Sequence, residues 1–560
     1  LARRPSVQHT IDFDRIAALP RRVPTLDDAE AWAEALTPAF AVSGSSARLR
    51  LWQGFSLAES LDLGGAFLAL PVGVGKTLIT YLWLADAVRP MLIVPASLRD
   101  KTWADFAAYR GKWKAPRSPI QIVSREELAL EQNKALLFTR KPDKIAIDEA
   151  DDFANPDSAA VRRMDRYVWG EDVNVEVMAL SGTPGRTSIL NYWHILLWCL
   201  RDRAPVPMNE NEAKMWALVL DHKSRAYQRP SPGPLGRNRS EAIEWYSKRL
   251  QETPGVVIID GDSCDAPITI RTRPAREDPK LDEHFKNFLV EQENPGGIQV
   301  SDPLSRWLLD GQLGCGLYSR YVKPPPEPWR VARRAVAKLV RDAIAATTRS
   351  GHPLDTEGQV LRRYAGHPVV AEWLAVKDTF VPETESVWLT TSAVQSAIDW
   401  LGEDKTPGVV WCGSVEYALA LSRASRLHYY ARQGKSAAGV GLHAAPVGRS
   451  LIASWAANKK GFNLQAWPRQ LLVMPPPSAK WLEQIFGRSH RSGQLNHVKI
   501  DILLTSGGTR DAFEAAVGEA RFNRGTIGLT QKILRANIEH TEPRLTAPNK
   551  FRWATRTEKD

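Results

Sequence analysis

The sequence predicts an α/β protein with two runs of parallel-sheet pattern and helical insertions between them. Two observations carry that expectation. Between about residues 48 and 200 short apolar runs alternate with helical patterns, and the alternation returns from about Pro382. Several of the runs are apolar throughout, as strands buried on both faces are. A glycine-rich turn after the first run adds a chemical clue.

In order, residues 1–47 read as an N-terminal arm and 48–200 as the first α/β unit. Within that unit "AFLAL" leads into a loop at Gly73–Thr77 and a helix, followed by "MLIVP", a helix from Ser97, "IQIVS", "KIAID" and "VEVMALSG". Residues 201–380 read as a helical region with polar loops and a strand-like "PITIRTRP". Two basic segments fall there. One is the loop from Lys223 to Arg239, rich in Pro and Gly and without an acid. The other is a helix carrying Arg330, Arg334, Lys338 and Arg341 beside an apolar set of Val331, Ala335 and Leu339, with no acid expected to pair with the basic face. The second α/β unit, 381–538, runs through "SVWLT", "GVVWC", "QLLVMPPP" and "HVKIDILL", and 539–560 reads as a charged tail.

Composition sets the bounds. A chain of 560 residues suggests three or four units at roughly 100–200 residues each. Apolar residues at 43% and charged ones at 24% are enough for large cores in a soluble chain. No run reaches the ~18–20 apolar residues of a membrane span, so no membrane partner is expected; no signal-peptide pattern opens the sequence, and its start at Leu1 suggests trimming. The four cysteines, Cys199, Cys264, Cys315 and Cys412, form no C-x-x-C pair, which argues against structural zinc and for a reducing compartment. A net charge of +11 points to polyanionic partners without separating DNA from RNA.

The loop "PVGVGKT" misses the strict G-x-x-x-x-G-K-[ST] pattern, because Leu70 stands where the first glycine belongs. Gly73, Gly75, Lys76 and Thr77 still supply backbone N–H groups at a helix start, a cation and a hydroxyl for Mg²⁺, which is what a nucleotide such as ATP requires. Some 70 residues on, "KIAIDEAD" ends an apolar strand with Asp148 and Glu149. One carboxylate suits the Mg²⁺ shell and the other the attacking water. "ALSGTPGR" places the hydroxyls of Ser181 and Thr183 at another strand end. In "EQIFGRSHRSGQ", Gln484 and Arg488 lie one helical turn apart with Arg491 beyond, and arginines there suit transition-state charge across a cleft.

Together "LRLWQ", "PVGVGKT", "IVPASL", "IVSREEL", "IDEAD", "LSGTP", "GFNLQAW" and "QIFGRSHRSGQ" resemble, in this order and over about residues 49–535, the motifs of superfamily-two helicases. The last is similar to the Q-x-x-G-R-x-H-R-x-G-Q motif of the Snf-type, chromatin-remodeller-like branch. The size and layout resemble, more weakly, helicase-like proteins encoded by bacteriophages. The resemblance implies two RecA-like lobes with ATP in the cleft between them. It implies adenine recognition by Gln53, phosphate binding by Lys76, magnesium held by Thr77 and Asp148, Glu149 as general base, and Arg488 and Arg491 as arginine fingers. It also implies nucleic-acid contacts at Pro95, Ser97 and Ser124, and coupling through Gly461, Asn463 and Leu464.

Two departures stand out: Asp151 replaces the branch's usual histidine, so a different link to Ser181 and Thr183 is expected, and Lys459 and Lys460 replace glycines. The expected activity is an ATP-dependent translocase on duplex DNA, with the basic segments bracing the duplex. A strand-separating helicase on single-stranded DNA or RNA is the alternative enzyme. A nucleic-acid-binding or virion-packaged protein with weak ATPase is the alternative of another class. The expected setting is cytoplasmic, the host's cytoplasm if the chain is phage-encoded.

Overall fold

The structure, a computed structural model, describes residues 5–540 except 72, 186, 222–229, 262–263, 348–353, 355, 432–433 and 459–461. The chain forms two compact units. The first comprises Leu1–Asp265, Arg491–Gln494 and Val517–Arg535; the second comprises Ala266–His490, Leu495–Ala516 and Ala536–Asp560.

The first unit holds six strands: β1 (Gly65–Ala69), β2 (Pro90–Val94), β3 (Gln121–Ser124), β4 (Lys144–Asp148), β5 (Glu176–Ser181) and β6 (Val256–Ile258). They pair in parallel in the order β3-β2-β4-β5-β1-β6. Side chains alternate between two cores. Phe67, Ile93, Ile145 and Val177 enter one, while Leu68, Leu92, Ala146 and Met178 enter the other. Burial on both faces is why these strands are apolar along their whole length.

The expected N-terminal arm is instead two capped helices, Ile11–Ala18 and Leu26–Phe40. Phe13 and Ile16 enter the first core, and Gly54 approaches the second helix so closely that a Cβ there would lie 2.4 Å from the Ala33 Cα. The helical middle region is also not one block. Helices Glu210–Leu220 and Arg239–Glu252, with β6, belong to the first unit, and the chain passes to the second at Ala266.

The second unit opens with β7 (Ile268–Pro274), followed by β8 (Leu317–Tyr321), β9 (Thr384–Trp388), β10 (Gly408–Cys412), β11 (Tyr429–Tyr430), β12 (Leu451–Ser454), β13 (Arg469–Val473), β14 (Val498–Leu504) and β15 (Asn537–His540). Seven of them form a parallel sheet in the order β11-β12-β10-β13-β14-β7-β15. The strand-like "PITIRTRP" is therefore β7, an interior strand of the second sheet. "SVWLT", expected to open that sheet, contributes instead to β9, which pairs antiparallel with β8. Both lobes are thus parallel-sheet α/β units of the RecA-like kind, with helices inserted between the strands. The tail expected from 539 lies outside the described residues from 541 onward.

Between β8 and β9 stands the long helix Glu327–Thr347. Its buried face is Trp329, Ala332, Val336, Val340, Ala343 and Ile344, packed with Val360 and Trp373. The expected apolar set is corrected here: Val331 is 56% exposed.

Candidate active site

The loop grows out of β1. Leu70, which replaces the expected glycine, is fully buried, and its N–H donates to the Ser181 carbonyl at 3.0 Å, so it extends the strand and fills the core. Gly75 has φ +86° and begins the helix Lys76–Trp83; a Cβ there would lie 2.3 Å from Gln53 Nε2 and meet a left-handed backbone as well. Gly73, at φ +98°, carries the preceding turn.

Gln53 braces this loop. Its Nε2 donates to the Val74 carbonyl at 2.8 Å, and its Oε1 accepts from the Arg50 N–H at 3.0 Å. Arg50 Nη1 reaches the Gly73 carbonyl at 3.3 Å. Lys76 Nζ donates to the carbonyls of Leu70 at 3.0 Å and Pro71 at 3.4 Å. Beside the loop opens a pocket of about 360 Å³ lined by Arg48, Arg50, Gln53, Gly73, Gly75 and Tyr109, among others. Burial raises the Tyr109 phenol well above its ordinary value, with the carboxylates of Asp105 and Asp148 adding to the shift.

The register brings the motif residues to one edge of the sheet. Ala69 pairs with Ser181, and Asp148 pairs with Leu180, so the loop, the carboxylate pair and the Ser181 turn all leave from the carboxyl ends of adjacent strands. Asp148 Oδ1 accepts from the Glu149 N–H at 3.0 Å. Glu149 sits at φ +54°, ψ +49°, a left-handed conformation that a residue with a Cβ adopts at a cost of order 1–3 kcal/mol. Such strain persists where the surroundings fix the side chain's direction.

Asp151 makes the link that its replacement of histidine put in question. Ser181 Oγ donates to Asp151 Oδ1 at 2.9 Å and accepts from the Thr183 N–H at 3.0 Å, while Thr183 Oγ1 lies 3.5 Å from Asp151 Oδ2. All three residues are buried. The carboxylate itself thus joins the end of β4 to the end of β5.

The expected nucleic-acid positions divide. Ser97 is exposed, whereas Pro95 is buried. Ser124 is 4% exposed, and its Oγ accepts from the Glu127 N–H at 2.9 Å as the cap of the helix Arg125–Ala129. The exposed basic face of the long helix is paired, contrary to expectation: Arg330 with Glu327, Arg334 with Glu293 at 3.2 Å and Lys338 with Asp342 at 2.7 Å. In the basic loop, Lys223, Arg225 and Arg229 lie outside the described residues. Arg239 donates to the carbonyls of Val219, Leu220 and Asp221, which caps a helix end.

In the second unit the "QIFGRSHRSGQ" segment forms a buried brace. Arg488 is 7% exposed; its Nε donates to the Gln484 carbonyl at 2.9 Å and its Nη1 to the Phe462 carbonyl at 3.0 Å. Ser489 donates to the carbonyls of Leu464 and Trp467, and His490 Nε2 lies 2.7 Å from the Ala266 carbonyl. Arg488, expected as a finger, here has its guanidinium on the Gln484 and Phe462 carbonyls, which holds the Phe462–Leu464 segment in place. Gln484 is buried beside it with its Oε1 unpartnered. Arg491 belongs to the first compact unit and is half-buried, and burial lowers its pKa. Asn463 is exposed, with Nδ2 on Gln465 Oε1 at 2.9 Å, and Leu464 is buried. Gly461, Lys459 and Lys460 lie outside the described residues.

Sequence reasoning missed the structural work of Arg50, whose N–H and guanidinium tie Gln53 and Gly73 together, and expected a different link at Asp151 without the atoms that make it. Among the described residues no group of three or more His, Cys, Asp and Glu side chains could hold a metal, and no helix is long and apolar enough to cross a membrane. The chain matches no protein-family model, and a search of curated proteins finds no match.

Proposed function

We propose that the chain is a nucleic-acid-dependent ATP hydrolase that moves along duplex DNA, a motor of the Snf-type branch of superfamily-two helicases. One observation carries the reading. The Gly73–Thr77 loop and the Asp148–Glu149 pair leave the same edge of one parallel sheet, separated by a single strand whose end is tied to Asp151. Proteins that hydrolyse nucleoside triphosphates need a phosphate cradle and a water-orienting carboxylate in this relation.

The loop N–H groups and Lys76 bind the triphosphate, Lys76 exchanging the carbonyls of Leu70 and Pro71 for phosphate oxygens. The pocket beside Gln53 and Tyr109 takes the base. Thr77 and Asp148, both hard oxygen donors, fit a magnesium ion that keeps most of its waters. When bound with ATP, that ion supplies neutralisation of the phosphate charge. Glu149 orients a water and accepts its proton as the water oxygen bonds to the γ-phosphorus and the bond to the ADP oxygen breaks. Arg491 offers positive charge to the transition state. The Asp151–Ser181–Thr183 link reports the state of the carboxylate edge to the neighbouring strand. The four thiols, buried and unbridged, support a reducing, cytoplasmic setting.

ATP turnover measured with duplex DNA, single-stranded DNA and RNA tests this. Stimulation by duplex supports translocation. Stimulation by single strands alone favours strand separation, and none by any favours a packaged protein with weak ATPase. Lys76→Ala should weaken ATP binding, and Glu149→Gln should bind ATP yet barely turn over. Wild-type turnover by Glu149→Gln would remove the base assignment.

A further inference from the structure

We propose that Gln53 positions the phosphate loop and leaves the base unread, so that the pocket beside it takes guanine nucleotides as well as adenine nucleotides. This rests on the reading above that the pocket receives the base of a nucleoside triphosphate, and it names the substrate class of that same site. The pocket, about 360 Å³, is lined by Arg48, Arg50, Gln53, Tyr109 and Lys112 among others, with Trp113 as a buried wall.

A glutamine reads adenine with both ends of its amide: the oxygen accepts from the N6 amino group while the NH₂ donates to N7. Here both ends are committed to main chain. Nε2 donates to the Val74 carbonyl at 2.8 Å, Oε1 accepts from the Arg50 N–H at 3.0 Å, and the residue is only 5% exposed. Gly75 closes over the amide, since a Cβ on it would lie 2.3 Å from Nε2. Turning the amide towards a base would break both hydrogen bonds and release Val74, which lies between the two glycines of the loop. The loop would lose its brace, and two main-chain groups would lose their partners.

The other polar side chains of the pocket suit guanine at least as well as adenine. Arg48, Arg50 and Lys112 only donate, and among the described residues none of the three makes an ion pair. Arg48 Nη1 donates to the Ala47 carbonyl at 3.0 Å and Arg50 Nη1 to the Gly73 carbonyl at 3.3 Å, which leaves further N–H groups on each guanidinium. Guanine presents O6 and N7 as adjacent acceptors, the pair that a guanidinium matches, whereas adenine presents the N6 donor beside N7. Among the described residues no carboxylate lines the pocket to accept from that N6 group. The hydroxyls of Ser45, Ser46 and Tyr109 donate or accept and so admit both bases. A site rejects a near-isostere strongly only where it is built to hydrogen-bond the group that differs. With Gln53 tied to the loop, no side chain of this lining is built for N6.

The test measures steady-state turnover of ATP and of GTP by wild type, Gln53→Ala and Arg48→Gln, with melting temperatures in each nucleotide alongside. Wild type should turn over GTP with a kcat/KM within about 10²-fold of that for ATP, the most that a pocket discriminates without hydrogen-bonding the differing group. Gln53→Ala should raise KM for both nucleotides by the same factor, because both use the loop it loosens, and should leave the ATP-to-GTP ratio of kcat/KM unchanged. Arg48→Gln supplies an amide with a free acceptor and should move that ratio towards ATP. A wild type that prefers ATP by more than about 10²-fold overturns the proposal and leaves the motor reading intact. A ratio that falls in Gln53→Ala also overturns it, because Gln53 would then be reading adenine. If Gln53→Ala does not fold, the wild-type ratio and Arg48→Gln decide. A wild type that neither hydrolyses nor is stabilised by either nucleotide overturns this proposal together with the nucleotide reading beneath it.

Discussion

Asp151 accepts from Ser181 in a buried setting, so its removal leaves a hydroxyl without an acceptor and unties the ends of two adjacent strands. Asp151→Ala should cost about 1–3 kcal/mol of stability, the penalty for an orphaned buried donor. If the link also couples hydrolysis to the strand that follows, stimulation by DNA should fall further than turnover without it. Asp151→Asn keeps an acceptor oxygen for Ser181 and should recover most of the stability. Equal stimulation in wild type and Asp151→Ala would reduce the link to packing. Arg488 and Arg491 separate in the same manner. Arg488→Ala strips the Phe462 carbonyl of its donor and should lower the melting temperature. Arg491→Ala should lower melting less than Arg488→Ala does and cut turnover by as much as the roughly 10³–10⁵-fold seen for arginine fingers elsewhere. The reverse pattern would exchange their roles.

At the scale of elements, the strands of the first sheet could be read from β1 to β5 because each is buried on both faces and so is apolar throughout. β6 could not, being only Val256–Ile258, and β7 alternates buried with half-buried positions in a stretch of arginines and threonines, so its place inside the second sheet left no apolar run to find. The long helix Glu327–Thr347 failed differently. Val331, Ala335 and Leu339 form a stripe at i, i+4, i+8, but so do Ala332, Val336 and Val340; the chain chose the second because Trp329 and Ile344 extend it against Trp373. The Gly73–Thr77 loop and the Asp148–Glu149 pair were legible because their residue types are rare in that order, whereas the setting of Arg488 depends on a carbonyl 26 residues away. The pairing of Arg330, Arg334 and Lys338 bears on their role without removing it, since exposed ion pairs contribute about 0–1 kcal/mol and exchange readily for phosphate. Replacing all three with glutamine should flatten the salt slope of duplex binding by up to about 0.9 for each phosphate that is no longer neutralised. An unchanged slope would leave the face to its acids and to water.

Over the whole molecule, stability against pH is set by buried groups that titrate away from their ordinary values, and the first unit contains two of opposite sign. Burial raises Asp221 from 3.8 to about 7, against hydrogen bonds from Ser188 and the Ile189 N–H and the attraction of Arg239. Its folded pKa lies above the unfolded one, so its contribution is present below about pH 4 and is lost as pH rises through about 7. Burial lowers His194 from 6.5 to about 4, against the hydrogen bond of its Nε2 to the Phe153 carbonyl and the pull of the Leu190 backbone. Its contribution is present above about pH 6.5 and is lost as pH falls towards 4, because the unfolded chain takes up the proton first. Between pH 4 and 6.5 the two slopes oppose each other, and this pair adds little net dependence. Above that window Asp221 acts alone. Asp221→Asn keeps an oxygen for the Ile189 N–H and has no charge to bury. Its melting temperature relative to wild type should therefore rise from pH 5 to about pH 7 and then level off towards pH 8, by an amount reflecting up to a few kcal/mol. A difference that stays flat across that range, or shrinks as pH rises, would mean that Asp221 ionises in the folded chain as easily as in the unfolded one.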